Sequence, residues 1–361
     1  MVNSMLNWKR TIQAALTLIL MGWATPVLSS PIHVLIDVRG NVQVKKAQWK
    51  GFIQAESGIT LSSEDKIKLG SNASVTVYCS DRNQWTETQA GTYLVSKGCP
   101  EGETVIRLCP DCNNDTRRPS GKKEERLKQL PYLISPRNTL VFNDSLTLRW
   151  NRVSGASQYK IKVGDWEGQT QETQIVYDGE LEPGEFYTVR VVADNGVAST
   201  DEDDGQYSWF IVLEEEEAKT LQEQVGAIAL QENPEREGLV LAYFYRGNEL
   251  NAKAIQVLEG LVKSGSQTTT VYQLLGDIYQ QVGLSLMAKE VYQQGLALTT
   301  EAESEVKAMM QRELGEVEYS LGDRDEAAKW LENAKASYSA LGDEVQVEKL
   351  AKRIDFILER D

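Results

Sequence analysis

Three segments of the C-terminal half line up on one another: "AYFYRGNELNAKAIQVLEGL", "GDIYQQVGLSLMAKEVYQQG" and "GEVEYSLGDRDEAAKWLENA". The alignment puts Ala242, Gly276 and Gly315 in one column and Ala254, Ala288 and Ala327 in another, at intervals of 34 and then 39 residues. A unit of this length, with apolar residues at helical spacing, reads as two helices joined by a turn. Gly276 and Ala288 have almost no side chain, so the paired helices can approach closely there, while Tyr272, Tyr279 and Tyr292 fill the wider gaps. One such unit leaves an apolar face uncovered until a neighbour stacks on it, which constrains this half of the chain to a helical solenoid. A last helix, about 344 to 359, has Leu350, Ile354 and Ile357 on one face and closes the stack. The five extra residues around "LTTEAESEV" are expected to lengthen the helices or the loop between the second and third units. Glu214 to Glu217 suit a helical first turn, where negative charge meets the positive end of the dipole, and mark the change of period.

Upstream of residue 214 the period is two. From Pro31 to about Cys109, "HVLIDV", "NVQVKK", "KIKL" and "SVTVYC" alternate and are punctuated by Gly40, Gly58 and Gly70, which predicts short antiparallel strands. A second alternating body covers 131–213, with "LTLRW", "YKIKV", "TQIVY", "FYTVRVVA" and "YSWFIVL". Residues 110–130 combine Pro, Gly, Asn and many charges, including Arg117, Arg118, Lys122, Lys123, Arg126 and Lys128, and are expected to form a charged linker. The fold class is multidomain β + α, with domains at 31–109, 131–213 and 214–361.

Residues 1–30 read as a secretory signal: Lys9 and Arg10 precede a largely apolar run, Thr11 to Ala24, too short to span a hydrocarbon core. Cleavage is expected between Ala24 and Ser30, leaving no transmembrane span and placing the protein in the periplasm or cell envelope. Cys79, Cys99, Cys109 and Cys112 are then disulfide candidates with three pairings open. A four-thiolate zinc site and a redox pair in "CPDC" are weighed against them. Only Cys109 and Cys112 are close in sequence, and their surroundings read as a polar loop. The net charge of −15 falls mostly on the last two domains, and an acidic surface disfavours nucleic acid.

The order Gly40-x-Val42-x-Val44, Gly58, Leu61, Asp65-x-Ile67-x-Leu69-Gly70, Ala73, Val75 and Val77 resembles a FecR-like β domain over about seventy residues. The usual Asp-Gly turn is replaced by "SDRNQW". Leu181-x-Pro183-Gly184-x-x-Tyr187-x-Val189-x-Val191-x-Ala193 resembles the tyrosine corner of a fibronectin type III-like β-sandwich, with Trp150 at the position of its buried tryptophan. Tyr272, Leu275, Gly276, Tyr279, Gly283, Ala288 and Tyr292, with Leu314, Gly315, Gly322, Ala327 and Ala334, are similar to the tetratricopeptide repeat. The whole arrangement looks like exported envelope proteins of bacteria, cyanobacteria among them.

The repeat resemblance implies that the first helix of each pair lines a concave groove. Its columns would be Leu239, Tyr243 and Arg246; Gln273, Asp277 and Gln280; and Arg312, Glu316 and Tyr319. This mixture suits an extended peptide or a partner's helix. A groove filled by the protein's own N-terminal bodies or linker is the competing reading. His33 is the only histidine and sits at a strand start, and no phosphate-cradling loop or metal-ligand cluster is visible in the sequence. Asp201 to Asp204 lack calcium-loop spacing and read as an acidic hairpin tip. The expectation is a non-catalytic scaffold or adaptor without cofactor or metal that binds a protein or peptide. The alternative is an envelope sensor or glycan-binding module, with a glycan or peptidoglycan ligand on the β domains.

Overall fold

The computed structural model describes residues 33–81, 83–100, 123–201, 208–228, 234–299 and 304–359. The expected signal at 1–30, Cys109, Cys112 and most of the acidic tip lie outside the described residues.

Eight strands build the first body: β1 (His33–Arg39), β2 (Val42–Lys45), β3 (Ile53–Gln54), β4 (Thr60–Leu61), β5 (Lys66–Leu69), β6 (Ser74–Tyr78), β7 (Gln84–Glu87) and β8 (Gly91–Leu94). They form two four-stranded antiparallel sheets, in the orders β4-β1-β6-β7 and β3-β2-β5-β8. Alternation decides what faces inward: Leu35, Val75 and Val77 from the first sheet share a core with Val42, Val44, Ile67 and Leu69 from the second. Of the three open cysteine pairings, the structure takes one that joins Cys79 to Cys99, with a Cα–Cα distance of 5.3 Å.

The charged stretch is not solvated to its end. It finishes in a helical turn, α1 (Glu124–Leu127), and Leu127 and Leu130 are buried against the helical repeats. The Lys123 N–H donates to the Leu321 carbonyl at 2.8 Å and Glu124 pairs with Lys289 at 3.0 Å. Two leucines three residues apart make an apolar edge that the charge-rich composition around them conceals.

The second body contains β9 (Leu133–Ser135), β10 (Thr139–Val141), β11 (Leu146–Trp150), β12 (Tyr159–Val163), β13 (Trp166–Thr170), β14 (Gln174–Tyr177), β15 (Phe186–Ala193) and β16 (Ser208–Val212). A sheet ordered β10-β16-β15-β12-β13 faces a sheet ordered β14-β11-β9, and β10 runs parallel to β16. Trp150 is buried edge-on to Tyr159. The Tyr187 ring stacks on Phe210, and its hydroxyl accepts from the Glu182 N–H at 2.9 Å, closing the corner expected at that tyrosine.

Then come α2 (Glu215–Ile228), α3 (Pro234–Gly247), α4 (Asn251–Lys263), α5 (Thr269–Gln281), α6 (Ser285–Leu298), α7 (Glu305–Ser320), α8 (Arg324–Leu341) and α9 (Glu344–Leu358). Consecutive helices from α3 to α9 pack on one another, giving the three pairs and closing helix expected. A Cβ on Gly276 would lie 2.4 Å from the Tyr292 ring, and one on Gly315 would lie 2.7 Å from Leu331, so both small residues sit where partner helices touch. The intra-pair turns reuse one left-handed position, occupied by Glu249 (φ 59), Gly283 (φ 84) and Gly322 (φ 88). Most of the extra residues before the third unit extend α7 at its N-terminal end, by about one turn. Among the described residues no helix is long and apolar enough to cross a membrane.

Candidate functional site: the concave side of the helical repeats

The helical face that the repeats would offer to a partner is built from α3, α5 and α7. Leu239 and Tyr243 are buried on α3, and Arg246 at its end reaches Asp277 at 3.4 Å and Gln281 at 3.3 Å. On α5, Gln273 donates to Asp277 at 2.7 Å. The Tyr292 hydroxyl comes from α6 and donates to Asp277 at 2.7 Å, with Gln280 3.3 Å away. Four of the nine expected groove residues, Arg246, Gln273, Asp277 and Gln280, therefore meet in one partly buried polar network. Burial pushes the Asp277 carboxyl up to about 6; nearby Glu313 adds to the shift, while the Arg246 charge and the Tyr292 bond oppose it.

The third column behaves differently. Arg312 pairs with its neighbour Glu313, whereas Glu316 and Tyr319 are taken by Arg353 of α9. Its guanidinium contacts Glu316 at 2.6 Å and lies 4.7 Å over the Tyr319 ring. The closing helix thus covers this end of the expected groove.

The first β body covers Leu239 and Tyr243 of the first column. Tyr78 of β6 stacks on Tyr243 with ring centroids 6.2 Å apart, and Val34, Ile36 and Tyr78 share a core with Leu239, Val240 and Val271. Along the N-terminal ends of α3, α5, α7 and α9 runs a row of polar contacts. Arg236 reaches Asp37 at 3.7 Å and Gln84 at 3.3 Å; Thr270 donates to the Ser57 carbonyl; Ser304 donates to Glu56. Lys46 makes a buried ion pair with Glu305. Burial raises the Glu305 pKa and the Lys46 charge opposes that shift. Trp49 and Gln48 each donate to Asp343 at 3.3 Å, and Lys50 pairs with Glu344 at the surface. The chain's own N-terminal body therefore packs on the N-terminal ends of these helices and on Leu239 and Tyr243, because it has apolar residues on both sides of its first sheet.

The β-sandwich grips the helices along the turns within the pairs. Arg137 donates to the Val282 carbonyl at 2.7 Å, and the Leu140 N–H donates to the Glu249 carbonyl at 3.0 Å. Arg149 makes two bonds to Glu259, at 2.7 and 2.6 Å, and the Tyr279 hydroxyl donates to the same carboxylate. A cleft of about 340 Å³ lies between the sandwich and α4, with Arg149, Glu259, Asp144 and Lys253 in its walls. These charges pair with one another, Lys253 meeting Asp144 at 3.0 Å.

His33 lies away from this face. It is buried at the start of β1, where its Nδ1 accepts from the Ser80 N–H at 3.1 Å, and burial lowers its pKa. It sits beside Cys79 and Cys99, whose sulfurs are committed to the disulfide and offer no thiolate to a metal.

Sequence reasoning missed Lys46, Thr270, Glu305 and Asp343. A signal existed for Tyr78: "SVTVYC" sets apolar residues at consecutive positions after Val77, so β6 has no side for water.

No known protein family and no curated protein matches this chain. Solved structures with some likeness include BtubC from P. vanneervenii, 20% identical with a TM-score of 0.30, over 39% of this chain and 72% of that one. MamA is 21% identical with a TM-score of 0.29, over 40% and 84%. A Podosopora anserina protein of kinesin light chain type, with nearly identical TPR-like repeats, is 22% identical with a TM-score of 0.30, over 39% and 85%. Overlaps this slight carry no argument about the chain. The helical pairs described above rest on its own packing.

Proposed function

We propose that this protein is a non-catalytic, exported scaffold. Its tetratricopeptide-type helices clamp its own FecR-like body, and the assembled unit presents its β bodies to a protein partner in the cell envelope. The observation that carries this reading is the stacking of Tyr78 on Tyr243 beside the row of contacts that runs from Arg236 to Glu344. A repeat face normally free for a partner is here closed by an internal one. The occupant is joined to the helices through buried polar bonds that a weakly docked domain would not need. The fibronectin-like sandwich braces α4 through Arg149 and the α5–α6 turn through Arg137, and it keeps Val176 and Phe186 exposed.

The test is amine-reactive crosslinking of the protein in its native envelope, followed by mass spectrometry of the linked peptides. Links from outward lysines of the sandwich, Lys160 and Lys162 among them, to one foreign protein are the expected result. Links to a foreign protein from the faces around Tyr243, Asp277 and Arg312 would return the partner to the concave side. Complete absence of foreign protein links would remove the scaffold reading.

A further inference from the structure

The two outer faces of the first β body differ in chemistry. The sheet β4-β1-β6-β7 turns Val34, Ile36 and Tyr78 outward into the helices, whereas among the described residues the outer face of β3-β2-β5-β8 joins no hydrophobic core. Strand register defines that second face. Lys45 stands opposite Lys66, Gln43 opposite both Lys68 and Gln54, Lys66 opposite Leu94, and Lys68 opposite Thr92. Directly opposed residues project to the same side of a sheet, so three lysines share one face with two glutamines, a threonine and a leucine. Val42, Val44, Ile67 and Leu69, between them in sequence, all point into the core. Lys66 and Lys68 are exposed and Lys45 is half-buried.

Like charges directly opposite one another destabilise an antiparallel pair, and a carboxylate on the face would relieve that cost. Among the described residues none does so. Lys45, Lys66 and Lys68 form no ion pair there, and the one aromatic contact is Lys68 over Phe52 at 5.7 Å. The chain as a whole carries 53 acidic against 38 basic residues, so partners for three lysines are plentiful in composition and yet absent from this face.

We infer that this face binds a linear anionic polysaccharide through carboxylate groups spaced along the polymer. The lysines stand on the order of 5 Å apart across the strands and 7 Å along them. That spacing, about the length of one sugar ring, lets successive carboxylates each meet an ammonium, whereas a single small anion on a flat sheet would reach only one or two. Gln43, Gln54 and Thr92 supply the amide and hydroxyl groups that exchange hydrogen bonds with sugar hydroxyls. The face offers a membrane little to insert, since Leu94 is its exposed large apolar residue. Nucleic acid, with one charge per about 1.7 Å, is repelled more strongly by the net charge of −15. Distant carboxylates matter less to a sparser polymer, because salt screens beyond about 8 Å. Residues 31–100 themselves carry eight basic against six acidic residues.

Affinity electrophoresis of the full-length protein tests this, with polygalacturonate in one gel, neutral dextran in a second, and phosphatidylglycerol vesicles in a parallel sedimentation assay. The expected result is retardation by polygalacturonate but not dextran, weakening as salt rises from about 0.1 M to about 1 M and the Debye length falls from about 10 Å to about 3 Å. The triple variant Lys45→Gln, Lys66→Gln, Lys68→Gln should bind at least about tenfold more weakly, and the triple Lys→Arg variant should retain binding. A Lys329→Gln control, removing a lysine already paired with Glu326, should change nothing. No retardation of the native protein, equal retardation by dextran, or full binding by the Lys→Gln variant overturns the inference. So does capture by vesicles without capture by polymer, which would assign the face to a lipid surface. None of these outcomes bears on the protein-partner crosslinks proposed above, so the two readings fail separately.

Discussion

Gly276 shows how much a single position decides in a helical pair. The Tyr292 ring occupies the space a Cβ would take, and its hydroxyl is held by Asp277, so the ring cannot move aside without breaking a buried bond. Gly276→Ala gains up to about 1 kcal/mol of helix propensity but overpacks the pair, and a net loss of about 1–2 kcal/mol is expected in chemical denaturation. A second residue-scale prediction concerns Lys46 and Glu305. Lys46→Ala leaves a buried carboxylate unpaired and should cost about 3–5 kcal/mol, whereas the double variant Lys46→Met, Glu305→Leu should recover most of it in the same assay. If the single variant costs no more than a surface substitution, the two bodies are not joined by that pair.

At the scale of elements, the added turn of α7 has a use: it carries Ser304 and Glu305 to Glu56 and Lys46 of the β body. The 39-residue interval in the repeat was visible in the sequence, but nothing local said what the extra turn would touch. Period and small-residue columns located the helices, and alternation located the strands, because both report which side of an element is apolar. They do not report what covers that side. The Tyr78–Tyr243 and Lys46–Glu305 contacts join residues far apart in the chain, and periodicity has no term for such partners. Leu239 and Tyr243, expected to face a peptide, meet the chain's own β body instead. Glu249 was missed for another reason. It takes the left-handed turn position that Gly283 and Gly322 fill in the other units, and a glutamate does not advertise that conformation.

The polar network within these elements also sets a pH dependence. Asp277 titrates near 6 in the folded protein against an ordinary value of 3.8, so the native state holds its proton more tightly than the unfolded chain. Its contribution is most favourable below about pH 4 and is lost as pH rises toward about 6, a fall on the order of 1–3 kcal/mol. Glu305, Glu316 and Glu318 are shifted upward by burial and act in the same direction. Unfolding free energies measured from pH 4 to 7 should decline across this window, and Asp277→Asn should flatten the decline. A rise instead would mean that the ion pair with Arg246 outweighs burial.

In the whole molecule, the described residues form one compact unit in which the helices hold a β body on one side and a β-sandwich on the other. Its stability is expected to be shared, so a local change in the β body should be felt by the helices. Reducing the Cys79–Cys99 link, which spans 20 residues, should remove about 3 kcal/mol by loosening the unfolded-state constraint. Helical circular dichroism should then melt earlier along with the β signal. Separate transitions, with the helical one unmoved, would show that the clamp and its occupant are uncoupled.

The most direct measurement uses the unmodified protein. Carbodiimide joins amines to carboxylates already in contact, and Lys50 and Glu344 offer such a pair 3.3 Å apart at the exposed rim of the clamp. Mass spectrometry of the monomer should find the peptide containing Lys50 bonded to the one containing Glu344. Accessible lysines of the β body that form no link to α9, while the helical face links to another protein, would contradict the claim that the groove is held by the chain itself.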